Sequence, residues 1–174
     1  MSFLSEFYPD ECCASVYKMD FAALYAEGYR GIIFDIDNTL VPHDMPADRR
    51  SVKLFRRLRQ EGFRTCLVSN NKEPRVKAFS EEVRATCYLY KAGKPGKRAY
   101  RNAMRKLGTT KEHTLVIGDQ IFTDIWGAKR IGIRSILVEP VQKWREEPQI
   151  ILKRFLEEIV LASYRRTSPR SHTS

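Results

Sequence analysis

Five short runs dominated by apolar residues recur along the chain: 31–36 (GIIFDI), 65–69 (TCLVS), 86–90 (TCYLY), 114–117 (TLVI) and 135–138 (SILV). Most lack the polar–apolar alternation of a strand with one wet face. Strands of this kind are covered on both sides, as in a parallel sheet. The stretches between them carry helical periodicity. Residues 47–61 place Val52, Phe55 and Leu58 on one side and arginines on the other, and Pro74 suits the first turn of a helix running to about Val83. Residues 96–107 repeat the pattern and stop at Gly108, and a helix over 123–131 ends at Gly132, read as its C′ residue. A last helix, opened by Pro148, sets Ile151, Leu152, Phe155, Leu156 and Ile159 on one face. Strand then helix, repeated, predicts a doubly wound α/β fold: a mainly parallel five-stranded sheet with helices on both faces and right-handed crossovers.

A length of 174 residues fits one compact domain, and 43% hydrophobic with 11% aromatic residues excludes disorder over most of it. The sequence divides into a lead-in over 1–30, a main domain over 31–163 and a flexible basic tail over 164–174. The lead-in, with Leu4, Phe7, Tyr8, Val16, Tyr17, Phe21, Leu24 and Tyr25, reads as a segment packing on the sheet edge or as one contacting a membrane or partner. Its first residues, MSFLSEFYPDECC, carry acids where a signal peptide needs an apolar stretch, and no window approaches the roughly 20 apolar residues of a spanning helix. Cys12, Cys13, Cys66 and Cys87 show no metal-binding spacing and read as reduced structural thiols. Both features place the protein in the cytoplasm.

The charge is the unusual part of the composition. Lys and Arg number 31 against 21 Asp and Glu, a formal net charge of +10. That surplus favours an anionic partner, whether nucleic acid, an anionic membrane surface or a phosphorylated substrate.

Ligands of open α/β sheets collect at the carboxyl ends of strands, and several polar residues fall there. The first run leads into Asp35 and Asp37, two carboxylates held at one strand tip, costly unless a cation or proton sits between them. A solvated acidic turn is the alternative. The fourth run ends in Gly118-Asp119, with Asp124 returning from the next helix start, where an acid also favours the helix dipole. Ser69 and Asn70 close the second run, although Asn70 or Asn71 also suits a helix N-cap. Lys94-Pro95 opens a helix after the third run, and Lys94 alone would be solvated surface. Together, carboxylates from two tips form a Mg²⁺ site, and a hydroxyl and an ammonium nearby suit phosphoryl oxygens. This is equipment for phosphoryl transfer.

The order DIDNT, Ser69, Lys94-Pro95 and GDQIFTD resembles the four motifs of the haloacid dehalogenase (HAD) superfamily over roughly residues 31–140. The short form, DNTLVP with GDQIFTDIWGA, is similar to subfamily IIIA phosphatases of the YqeG type, a group that also resembles phosphatidylglycerophosphatases. The resemblance implies a HAD-like Rossmannoid phosphatase domain and a role for each matching residue. Asp35 becomes the nucleophile that forms an aspartyl-phosphate, and Asp37 the general acid and base whose backbone carbonyl also ligates Mg²⁺. Asp119 and Asp124 complete the metal set with Asp35. Thr39 supports the loop, and Thr39, Ser69, Asn70 and Lys94 make up the phosphate-binding side, with Lys94 also catalytic. An acid at position 37 argues for hydrolysis over dehalogenation.

Neither the stretch from Thr39 to Ser69 nor that from Ser69 to Lys94 has room for a cap domain. The implied site is open and suits a head group on a bulky substrate. Phosphatidylglycerophosphate at a membrane surface is the leading substrate, docked through basic clusters over 48–64 and 91–106 and peripheral on the inner face of the membrane. A soluble phosphatase of nucleotides or phosphosugars is the alternative enzyme. A HAD-fold module binding RNA or a ribonucleoprotein is the alternative of another class, resting on the +10 charge alone.

Overall fold

The computed structural model describes residues 3–142 and 148–167. Its strands are β1 (Glu11–Cys13), β2 (Gly31–Phe34), β3 (Arg64–Val68), β4 (Cys87–Leu89), β5 (Thr114–Gly118) and β6 (Arg134–Val138). Its helices are α1 (Phe21–Ala26), α2 (Arg49–Glu61), α3 (Glu73–Val83), α4 (Lys97–Leu107), α5 (Trp126–Lys129) and α6 (Pro148–Thr167). The six strands lie in the order β1-β6-β5-β2-β3-β4, and every pairing is parallel. β2, the most apolar strand, is central and wholly buried. Its Ile32 and Phe34 point into one core with α1, α2 and α3, and Ile33 points into another with α4 and α5, the period-2 consequence of a strand covered on both faces.

The sheet has six strands where the apolar runs predict five. β1 escapes that reading because polar contacts, not an apolar run, hold it on β6. The Asp10 carboxylate accepts from both the backbone N–H and the hydroxyl of Ser135, at 2.8 and 3.0 Å. Around it the lead-in packs inward, with Phe7, Val16, Met19, Phe21 and Leu24 all buried.

Helix ends follow local chemistry. Asp48 and Ser51 form a reciprocal capping box at the start of α2. Gly108 ends α4 in the left-handed conformation, φ +63°. The predicted helix over 123–131 begins earlier, as a π-helical turn over Ile121–Ile125 that α5 continues, and Gly132 follows with φ +74°. α6 begins at Pro148 as read, and Thr167 closes it, so residues 164–167 of the predicted tail are its last turn. The remainder of that tail, residues 168–174, lies outside the described residues. No helix among the described residues is long and apolar enough to cross a membrane.

Cys66 and Cys87 face each other across β3 and β4, and all four cysteines are free thiols.

Candidate active site

β2 and β5 are neighbours in register, Phe34 beside Ile117, so the chain leaving each reaches the same rim of the sheet. From the β2 side come Asp35 and Asp37. From the β5 side come Asp119 and, within the π turn, Asp124. Gly118 makes this approach feasible, because a Cβ there would sit 2.4 Å from the Asp124 carboxyl carbon. The oxygens of Asp35, Asp119 and Asp124 fall within 4.8 Å of one another.

Lys94 arrives from beyond β4 and is buried, its side chain 5% exposed, instead of solvated. Its ammonium donates to Asp35 Oδ1 at 2.6 Å and to Asp124 Oδ1 at 2.7 Å. Burial alone would lower the Lys94 pKa, but Asp124 and Asp35 outweigh it and hold the ammonium well above its ordinary range. Burial raises the Asp35 carboxyl well above its usual range; Lys94 pulls it back, and Asp124 and Asp119 push it up again. Burial and Asp124 likewise raise Asp119 to about 6, against the pull of Arg154 and Thr39. Three carboxylates thus share two cations, Lys94 and Arg154, leaving a surplus negative charge among hard oxygen donors. That donor set fits a divalent cation, with Asp35, Asp119 and Asp124 as the residues to hold it.

The Asp37 carboxylate stands apart from this cluster. It accepts from Arg75 Nη2 at 3.0 Å, from the Asp44 N–H at 2.9 Å and from Asn71 Nδ2 at 3.4 Å. Asn38, in the left-handed conformation with φ +61°, turns the chain directly after Asp37 and sends Thr39 into the interior. The two acids of the motif therefore occupy different surroundings, one bridged by an ammonium and one gripped at the rim.

The remaining predicted residues fall around this centre with their own bonds. Thr39 is buried and donates its hydroxyl to Asp119 Oδ1 at 3.0 Å, orienting that carboxylate. Ser69 is buried at the end of β3, and its hydroxyl accepts from the Asn71 N–H at 3.1 Å. Asn70 exchanges two hydrogen bonds with the Lys94 backbone, accepting at 2.8 Å and donating at 3.3 Å, so it holds the lysine loop in place. Lys72 occupies the α3 N-cap, so neither Asn70 nor Asn71 caps that helix. Asp124 is both an acid in the first helical turn, accepting the Gln120 N–H at 3.2 Å, and a member of the cluster.

Two arginines that sequence reasoning missed complete the site. Arg75 comes from α3. Arg154 comes from α6, and its guanidinium donates to Asp119 Oδ2 at 2.6 Å and to the Asp119 carbonyl at 2.9 Å. The available signal was helical spacing: Arg154, Glu157, Leu161 and Tyr164 form one stripe, and Glu157, buried on it, accepts the Ile121 N–H at 2.7 Å.

Comparison with known proteins bears on the family and the fold. The HAD-hydrolase-like family model matches residues 91–155. The chain is 41% identical over 136 residues to a Bacillus subtilis protein named "Probable phosphatase YqeG", covering 78% of each chain. It is 28% identical over 145 residues to the Arabidopsis thaliana phosphatidylglycerophosphate phosphatase 1, chloroplastic/mitochondrial, covering 76% of this chain and 40% of that longer protein. Among solved structures, the cobalt-bound deoxy-D-mannose-octulosonate 8-phosphate phosphatase of Haemophilus influenzae superposes with a TM-score of 0.52 at 15% identity, covering 78% of this chain and 89% of that one. An uncharacterized protein of Listeria monocytogenes superposes with a TM-score of 0.54 at 15% identity, covering 76% of this chain and 99% of that one. At those identities the likeness is one of fold.

Proposed function

The chain belongs to the HAD-like hydrolase family and is a HAD-type phosphatase, and we propose that it cleaves phosphomonoesters through an aspartyl-phosphate on Asp35, with phosphatidylglycerophosphate as substrate. The observation that carries the mechanism is the separation of the two motif acids. Asp35 sits beside the Lys94 ammonium at 2.6 Å, whereas Asp37 is held at the rim by Arg75 and Asn71.

In the first half-reaction an Asp35 carboxylate oxygen attacks phosphorus. The bond to the leaving oxygen breaks, and that oxygen takes a proton from Asp37. Lys94 neutralises charge on Asp35 and on the phosphoryl oxygens, and the Ser69 hydroxyl at the end of β3 donates to the phosphoryl group. In the second half-reaction Asp37, now a carboxylate, takes a proton from water. The hydroxide attacks phosphorus, the acyl-phosphate bond breaks, and inorganic phosphate leaves with Asp35 ionised and Asp37 protonated again. A Mg²⁺ ion held by Asp35, Asp119 and Asp124, with the Asp37 carbonyl, would supply electrostatic stabilisation of the phosphoryl charge. Thr39 and Asn70 orient Asp119 and the lysine loop for this chemistry.

Two observations support a lipid substrate. Between Thr39 and Lys94, described throughout, the chain builds only α2, β3, α3 and β4, so no domain is inserted above the site. The Arabidopsis relative carries the phosphatidylglycerophosphate name. The test is Mg²⁺-dependent phosphate release from phosphatidylglycerophosphate vesicles beside a panel of soluble phosphomonoesters. Asp35→Asn is expected to abolish both; comparable turnover in that variant, purified free of host phosphatase, would sink the mechanism. Release from soluble esters alone would remove the lipid substrate and leave the phosphatase.

A further inference from the structure

The sequence stripe Ile151, Leu152, Phe155, Leu156 and Ile159 is on the outside of the molecule. These five side chains are between 46% and 66% exposed. The helix is nevertheless docked, because its other side buries Glu157 and Val160, half-buries Leu161 and Tyr164, and pins Arg154 to Asp119. α6 is therefore amphipathic in the sense opposite to α2 and α4, which turn arginines and lysines outward. The turn over Phe3–Phe7 runs alongside, tied by the Tyr8 hydroxyl to Ser163 at 2.6 Å, and it exposes Phe3 at 77%. A contiguous apolar strip of this size on an otherwise charged surface marks an interaction site.

We propose that the outward face of α6 is the element by which the protein lies on an anionic lipid bilayer. The proposal rests on the lipid-phosphate reading above and names the surface that reading needs. Charge selects the occupant. Lys153, Arg165 and Arg166 are exposed on α6 against one exposed acid, Glu158, and the chain carries +10 overall. A second copy would bring the same positive charge against this face, whereas an anionic bilayer brings the complement. An apolar helix face with a net basic surround settles about 5–10 Å into the headgroup boundary. The position also fits, because Arg154, on the opposite side of the same turns, reaches Asp119, so the half of α6 that would dock is the half tied to the site.

The test is cosedimentation with vesicles of phosphatidylglycerol and phosphatidylcholine, and of phosphatidylcholine alone, with no substrate present. Wild type is expected to bind the anionic vesicles. Leu152→Asp with Phe155→Asp should reduce that binding at least tenfold while hydrolysis of a soluble phosphomonoester and the circular dichroism spectrum stay unchanged. Lys153→Gln with Arg165→Gln should weaken it by roughly fivefold per charge removed. Equal binding by the double Asp variant would overturn the proposal, as would lipid-free self-association of wild type that the same variant abolishes. Because vesicle binding is measured without phosphatidylglycerophosphate, failure to hydrolyse that lipid would refute the substrate and leave the docking result standing on its own.

Discussion

Arg154 Nη2 lies 2.6 Å from Asp119 Oδ2, which ties the C-terminal helix to a carboxylate at the tip of β5. The guanidinium and a divalent cation would share that carboxylate. Two positive charges on one carboxylate repel each other, and even at an effective dielectric near 20 that repulsion is on the order of several kcal/mol before screening. Losing an orienting outer-shell group costs only about 10–100-fold in metal affinity. Arg154→Met is therefore expected to bind Mg²⁺ at least tenfold more tightly, measured by calorimetry, and to unfold at lower denaturant when metal-free. Weaker Mg²⁺ binding in that variant would mean the arginine orients Asp119 more than it competes for it.

Lys94 bridges two buried carboxylates, and Lys94→Met leaves Asp35 and Asp124 facing each other without a cation. Breaking a buried pair costs about 3–5 kcal/mol. The metal-free variant is expected to melt well below wild type, and Mg²⁺ should restore much of that loss without restoring phosphatase activity. Thermal melts in EDTA and in Mg²⁺, beside single-turnover phosphate release, check both halves.

Gly118→Ala puts a methyl group where the Asp124 carboxylate now lies, 2.4 Å from its carboxyl carbon. The backbone there tolerates alanine, so the strain falls on the side chain. Overpacking of this kind costs about 1–3 kcal/mol, and displacing Asp124 should weaken Mg²⁺ binding more than tenfold. A variant with wild-type metal affinity would argue against Asp124 as a ligand.

Glu157 is 5% exposed, and burial raises its carboxyl to about 7, against the pull of Arg154 and of backbone N–H groups. A raised carboxyl pKa means that folding favours the protonated form. Its contribution is fully present below the ordinary value near 4.5 and is lost as pH rises through about 7. The loss is at most about 3 kcal/mol at 1.36 kcal/mol per pH unit. Glu157→Gln should therefore gain on wild type as pH rises from 5 to 8, read from denaturation midpoints of the metal-free proteins. A difference that stays constant over that range would show that Glu157 titrates normally.

What the sequence made legible follows from how each group is held. β2 and β5 are continuous apolar runs, and their tips carry Asp35 and Asp119 because a buried parallel strand delivers its next residue to the rim. Lys94 became readable only beside the other motifs, since one lysine among many basic residues has no local signature. Arg75 had no local signature and Arg154 only the stripe it shares with Glu157, because long side chains reach Asp37 and Asp119 from helices 38 and 35 residues away. The α6 stripe was visible as a stripe. Which of its two faces met the core was not, because the inward side mixes Arg154 and Glu157 with Val160 and matches its polar partners across the fold, not along the helix.

β1 has a consequence for synthesis. Its backbone partner is β6, Asp10 binds Ser135, and Tyr8 binds Ser163. Each contact joins residues far apart in the chain, 125 positions for Asp10 and Ser135 and 155 for Tyr8 and Ser163. During translation the backbone of β1 has no strand partner until the chain beyond residue 135 has emerged, so this edge of the sheet cannot pair before β6 is made. A nascent chain released before β6 is made would carry an unpaired β5 edge, where any extended peptide can add as a strand.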